Sequence, residues 1–297
     1  MTHNVMNCSS TGSSRTGKLP LMMNCYASPS LLLVLVASFI VLSTHSRLAL
    51  TGVLAQYDHE YDHHDEATGR GPSRWGQLDP KWKACSYGRK QSPIDFVDRS
   101  LSFCPSLGEL NKDYRPAPAT LTKRGREIYV YWRGDAGKIN INGSDYRLIQ
   151  LHWHTPAEHT FNGIKYDLEL HIVHSNSTNG TAVVGIVYRL GPPDPFLSTL
   201  TEKIKLLQRD GNIDLGIVDP KSVGFRNREY YYRYLGSLTT PPCTEGVVWT
   251  VFRHVRTVSW EQVQALKDAI EYGFESNARP TQPLNGRPVC LYAPFYG

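Results

Sequence analysis

LIQLHWHTPAEH (Leu148 to His159) and LELHIVH (Leu168 to His174) decide how this chain folds. Each run alternates with a period of two, the pattern of a strand, so His152 and His154 project to the same side. Between them stands Asn162-Gly163, a dipeptide suited to a two-residue hairpin turn. Folding back symmetrically about that turn sets His154 opposite His171, with Pro156 interrupting the ladder. On the second strand Glu169, His171 and Val173 share the histidine face, while Leu168, Leu170 and Ile172 take the other. The apolar side is fully used for packing, which leaves the polar side for a site. A lone strand histidine is ordinarily solvated or hydrogen-bonded in a core. Three on one face, interleaved with carboxylates, make a donor set instead. Three neutral nitrogens suit zinc in an open tetrahedral site, with water in the fourth position. Gln150 and Glu169 each precede a histidine by two residues on that face and are placed to orient the rings.

The 297 residues are 40% apolar, enough for one catalytic-size domain with a substantial core. The first 55 residues hold no acid and only Arg15, Lys18 and Arg47 as fixed charges, so most of the formal charge of +5 belongs to this leader. The remainder has no basic run, which argues against nucleic acid as a partner. SLLLVLVASFIVL is too short to span a bilayer and runs into small residues ending in GVLA, as in an export signal cut after Ala55. Secretion is the expected destination. A transit segment ahead of a lumenal signal would place the protein in an organelle lumen, and Met22 or Met23 is an alternative start. LYAPFYG offers no apolar tail, so no membrane anchor is expected after cleavage.

Residues 56 to 70, with His59, His63 and His64, lack an apolar period and are expected to be a disordered mature N-terminus. From Gly71 to Gly297 a single domain is expected. Strand-like runs dominate it: EIYVYW, KINING, TAVVGIVYRL, EYYYRYLGS and GVVWTVFRHV. Two helices are predicted, one over DPFLSTLTEKIKLLQRDG and one over SWEQVQALKDAIEYG, which opens with a Ser259 and Gln262 capping pair and closes at Gly273. Cys8 and Cys25 lie in the leader, so the mature chain keeps Cys85, Cys104, Cys243 and Cys290, which allow three pairings. Sequons at Asn142, Asn176 and Asn179 are glycosylation candidates.

QSPID (Gln91 to Asp95), QLHWHTPAEHT, ELHIVH, GSLTTPPCTEGVVW and RPTQPLNGRPV, in that order from about Pro72 to Tyr292, resemble the α-class carbonic anhydrases, and most of all the exported plant type. The resemblance implies a mainly β fold around a ten-stranded, mostly antiparallel twisted sheet, with zinc at the bottom of a conical cleft. It makes His152, His154 and His171 the metal ligands and implies reversible hydration of carbon dioxide to bicarbonate and a proton. Thr239 and Glu158 then become the pair that orients the zinc-bound hydroxide. On their own they would pass for a turn residue and a loop carboxylate.

The family pattern further implies an apolar substrate wall of Val173, Val183, Leu238, Val247 and Trp249, residues otherwise read as ordinary core. It implies backbone support of His154 by Asn277, a network of His159 and Tyr234 near Glu158, a structural Arg279, and cis peptides at Ser92-Pro93 and Pro241-Pro242. Cys85 and Cys243 match the disulfide of exported members, and the same fold would bring Cys104 near Cys290. One departure is clear: the imidazole by which fast members pass the proton outward is replaced by Arg126 in KRGREIYV. Arginine stays protonated and cannot relay. An active enzyme with slow proton release is expected. The alternative is a storage or binding protein on the same scaffold, with low residual hydratase or esterase activity. Oligomeric state is left open by the sequence.

Overall fold

The computed structural model describes residues 69–207, 211–270 and 276–294. The leader with its cleavage point, residues 56–68 with the tail histidines, Cys8 and Cys25 lie outside the described residues. Among the described residues, ten strands form the main path of one 13-stranded sheet: β1 (Ser102–Phe103), β2 (Ala117–Arg124), β3 (Glu127–Trp132), β4 (Ser144–His154), β5 (Leu168–Ser175), β6 (Thr181–Leu190), β7 (Asn212–Val218), β8 (Tyr231–Ser237), β9 (Glu245–Phe252) and β10 (Cys290–Tyr292). Across the sheet they run β7-β2-β3-β4-β5-β6-β9-β8-β10-β1. Pairing is antiparallel except between β6 and β9 and between β10 and β1. Asn111–Tyr114, Gly137–Ile141 and Arg256–Val258 pair alongside this path, and Asp95–Phe96, Thr160–Phe161 and Ile164–Lys165 make a separate small sheet.

Each central strand is buried on both faces, for different ends. One face carries Leu121, Val130, Leu151, Leu170, Ile172 and Val184 into the main core, which also takes Val263 and Leu266 from the helix Trp260–Ala269. The other carries Val183, Val187, Trp249 and Val251 into a smaller cluster with Phe96 and Tyr234. The histidines project on this second side. A third cluster, Trp75, Trp82, Cys85 and Cys243, ties the N-terminal segment to the loop after β8.

The expected hairpin forms at Asn162-Gly163, both with positive φ, and pairs Phe161 with Ile164 and Thr160 with Lys165. The expected pairing of His154 with His171 does not. His152 lies opposite His171, and His154 opposite Glu169. The physical reason is unequal arm length. Between the paired positions the outgoing arm, with its cis Thr155-Pro156 bond, is longer by two residues than the returning one, and Ala157 N donates to Tyr166 O across the detour. A two-residue slip preserves the faces, so the three rings stay together where a one-residue slip would have dispersed them.

The Ser259 and Gln262 capping box is present, and its helix runs to Ala269; the predicted closure at Gly273 lies outside the described residues. The single helix predicted from Asp194 is instead two short ones, Pro195–Ser198 and Thr201–Lys205. Thr199 Oγ1 and Thr201 Oγ1 donate to Phe196 O and Leu197 O, competing with the backbone ladder at the break. Among the described residues no helix is long and apolar enough to cross a membrane.

Candidate metal centre

The strand lattice fixes the donors. β4 supplies His152 and His154, β5 supplies His171, and one ring nitrogen from each lies within 4.8 Å of the others. The other nitrogen of each ring is held by an acceptor. His152 Nδ1 donates to Gln150 Oε1 at 2.9 Å, His154 Nδ1 to the Asn277 carbonyl at 2.8 Å, and His171 Nε2 to Glu169 Oε1 at 2.9 Å. A neutral imidazole that donates from one nitrogen presents a lone pair from the other. Nε2 of His152, Nε2 of His154 and Nδ1 of His171 are therefore the free donors. Burial favours the neutral rings: it is the main cause holding His152 well below the usual imidazole range, and it brings His171 down to about 4 against the opposing pull of Glu169.

Within the site, the buried His154 Nε2 and Glu158 Oε2 have no hydrogen-bond partner, and they face each other at 3.7 Å. Glu158 Oε2 is also 3.9 Å from His171 Nδ1. A cluster of buried lone pairs without a donor is costly, and a divalent cation among the three nitrogens would satisfy it. The residues present therefore fit zinc. His159, Glu169 and His171 also cluster, but their facing atoms are already committed to hydrogen bonds with one another, so this set supports the site and is not a second one.

The supporting shell is dense. Glu169 Oε2 accepts from the amides of Glu158 and His159, each at 2.8 Å, while Oε1 takes His171 and His159 Nδ1. Burial alone would raise this carboxyl, but the two imidazoles and their hydrogen bonds hold it well below the usual carboxylate range. His159 Nε2 reaches Tyr234 OH at 2.8 Å, and that hydroxyl reaches Ser92 Oγ at 2.7 Å. Glu158 Oε1 accepts from the Arg279 amide at 2.8 Å. Burial, then Glu169, push the Glu158 carboxyl up to about 8, against the pull of the Arg279 amide and the nearby Thr239 hydroxyl. Asn277 serves twice: its carbonyl holds His154, and its side chain accepts from Thr155 N and donates to the Trp153 and Arg126 carbonyls.

The expected wall residues fall in one apolar cluster, with Val183, Val247 and Trp249 buried and Val173 and Leu238 packed against them. The Trp249 ring lies 4.8 Å from that of His171. Arg126 follows Gly125 in the turn joining β2 to β3. Both cysteine pairs, Cys85–Cys243 and Cys104–Cys290, form disulfides, and the expected cis bonds at Ser92-Pro93 and Pro241-Pro242 are present. Asn142 and Asn179 sit exposed in positive-φ turns, whereas the Asn176 carboxamide caps its own turn by accepting from Thr178 N, Thr178 Oγ1 and Gly180 N. Sequence reasoning did not anticipate Ser92 beneath Tyr234, the Arg279 amide on Glu158, or Tyr129, whose ring lies 5.3 Å from that of His152. Only the strand register, which the sequence does not state, makes Tyr129 a neighbour of His152.

The sequence profile described as eukaryotic-type carbonic anhydrase matches residues 70–293. Alpha carbonic anhydrase 4 of Arabidopsis thaliana is 48% identical over 233 residues, covering 78% of this chain and 85% of that protein. Dioscorin dioA3 of Dioscorea japonica is 43% identical over 229 residues, covering 76% and 84%. Among solved structures, dioscorin complexed with ascorbate superposes with a TM-score of 0.77 at 41% identity, covering 80% of this chain and all of that one (100%). The α-carbonic anhydrase of Thermovibrio ammonificans with sulfanilamide gives a TM-score of 0.69 at 34% identity, covering 77% and 98%.

Proposed function

The chain belongs to the eukaryotic-type carbonic anhydrase family, and on that premise we propose that it is a zinc-dependent enzyme that interconverts carbon dioxide and bicarbonate. The observation that carries this reading is the convergence of three free imidazole lone pairs, with His154 Nε2 buried and otherwise without a partner. His152, His154 and His171 would hold the ion, and Gln150, Asn277 and Glu169 fix which nitrogen each ring presents. Zinc, when bound, makes a water nucleophilic near neutral pH, for which carbonic anhydrases are the standard case.

This chain's own residues would do the rest. Glu158, anchored by the Arg279 amide, accepts a hydrogen bond from the Thr239 hydroxyl, which leaves that hydroxyl's lone pair directed at the reacting oxygen. Val173, Val183, Leu238, Val247 and Trp249 give the apolar substrate a surface that binds no water strongly. Arg126 adds no proton relay. Stopped-flow hydration on zinc-loaded and chelator-stripped protein tests the reading: activity should follow zinc content and be blocked by a sulfonamide. Activity indifferent to zinc would overturn it.

A second reading has the dioscorin relatives behind it, a storage or binding protein with low residual hydratase or esterase activity. Retention of all three histidines together with Thr239 and Glu158 favours the enzyme. The two disulfides suit an oxidising compartment, secreted or lumenal. We infer a mature chain beginning at Gln56, an α-carbonic anhydrase domain from residue 71, and glycans at exposed sequons. N-terminal sequencing of the mature protein checks the start.

A further inference from the structure

Every hydration turnover releases one proton, and Arg126 stands where an imidazole would carry it out. The remaining imidazoles do not fill the gap. Among the described residues, His159 is held between Glu169 and Tyr234, and His174 is buried in the main core against Tyr114. His254 lies in the turn beyond the end of β9. Glu158 and Glu169 are committed to the site itself.

Among the described residues, a further carboxylate lies on the strand face of His152. Along β3, Glu127, Tyr129 and Tyr131 alternate onto the face that carries His152, since Tyr129 is paired with His152 and Tyr131 with Gln150. Glu127 is buried at 6% exposure and stands at the end of β3 beside the half-buried β2–β3 turn. The Tyr129 hydroxyl donates to Glu127 Oε2, and the Tyr129 ring bridges toward His152. Tyr131 stacks on Tyr129 at 5.2 Å, with the Arg124 guanidinium 5.9 Å from the Tyr131 ring centre. Among the described residues, the charged and titratable groups placed beside this carboxylate include Arg124 directly across the ladder, Arg126 next in the chain, and Tyr129.

We propose that Glu127, held toward the cleft by Tyr129, carries the product proton from the site to solvent in place of the imidazole absent at Arg126. The inference rests on the hydratase reading above. In the step, a carboxylate oxygen of Glu127 takes the proton as a water O–H bond breaks, and the resulting carboxylic acid gives it to a buffer base, which restores the carboxylate. Tyr129 is a positioning residue that keeps its own proton.

The test uses zinc-loaded mature protein and the variants Glu127→Gln and Tyr129→Phe. In weak buffer the kcat of E127Q should fall about 100-fold, the low end of what a lost proton-transfer group costs. Y129F should fall less. Added imidazole should restore both, with kcat/KM and zinc content unchanged. Difference infrared titration should reveal a carboxyl band in the wild type that E127Q lacks, in zinc-free as in zinc-loaded protein. Wild-type turnover by E127Q in weak buffer, or an unaltered infrared titration, would overturn the proposal. A zinc-loaded wild type that stays inert in strong imidazole would instead remove the hydratase reading beneath it.

Discussion

At the residue scale, the site depends on groups with no spare contacts. Asn277 is fully buried and serves His154, Thr155, Trp153 and Arg126 at once. Asn277→Ala removes the side-chain hydrogen bonds to Thr155 N and to the Trp153 and Arg126 carbonyls, while the backbone carbonyl that holds His154 remains, and is expected to cost about 3 kcal/mol of stability in urea denaturation. If the backbone carbonyl shifts as well, zinc affinity should drop about 10-fold, the lower range for a lost ligand support. Gly236 is a second such position, because a methyl there would collide with Ser92 Oγ and the rings of Tyr234 and Trp249. His174 makes a pH prediction away from the metal. Burial pushes it down to about 3, below the usual 6.5 of an unfolded chain, so the unfolded state binds its proton first. Its contribution is whole above pH 6.5 and is lost as pH falls toward 3. Between pH 6.5 and 5 the loss is about 2 kcal/mol, and His174→Gln should flatten the stability profile over that window.

Elements show how far the sequence could be read. Period-two alternation located β3, β4, β5, β6, β8 and β9, because a strand buried on one side by core and on the other by a site keeps distinct faces; β1, β2, β7 and β10 were not read from it. The grouping of His152, His154 and His171 was legible for the same reason. Their register was not, since the extra length around Pro156 belongs to a loop that carries no periodic signal. The helix at Trp260 was legible through its cap, and Gln262 turns out to do more: its side chain also accepts from Asp194 N and donates to Asp194 O and Ser198 Oγ. Gln262→Ala should therefore destabilise by about 2 kcal/mol, more than the roughly 1 kcal/mol expected of Ser259→Ala, which removes the cap alone. Equal losses in denaturant titration would contradict that difference. The break between Ser198 and Thr201 was missed because hydroxyl competition with the backbone leaves the apolar spacing intact.

Over the whole molecule, two disulfides close long stretches of chain, with separations of 158 and 186 residues. Cys85–Cys243 joins the N-terminal tryptophan cluster to the loop that carries Thr239, so removing it with a double serine variant is expected to cost about 2–5 kcal/mol and to lower turnover more than zinc content. The ten-strand path and the cleft were expected from motifs, not from periodicity, because short strands do not encode which neighbour they choose. The central claim is that three imidazoles hold one zinc ion. It is tested most directly by metal analysis of the zinc-equilibrated, exhaustively dialysed protein beside His154→Ala. About one zinc per chain is expected for the wild type and almost none for the variant. A zinc-free wild type, or a variant that keeps its metal, would contradict it.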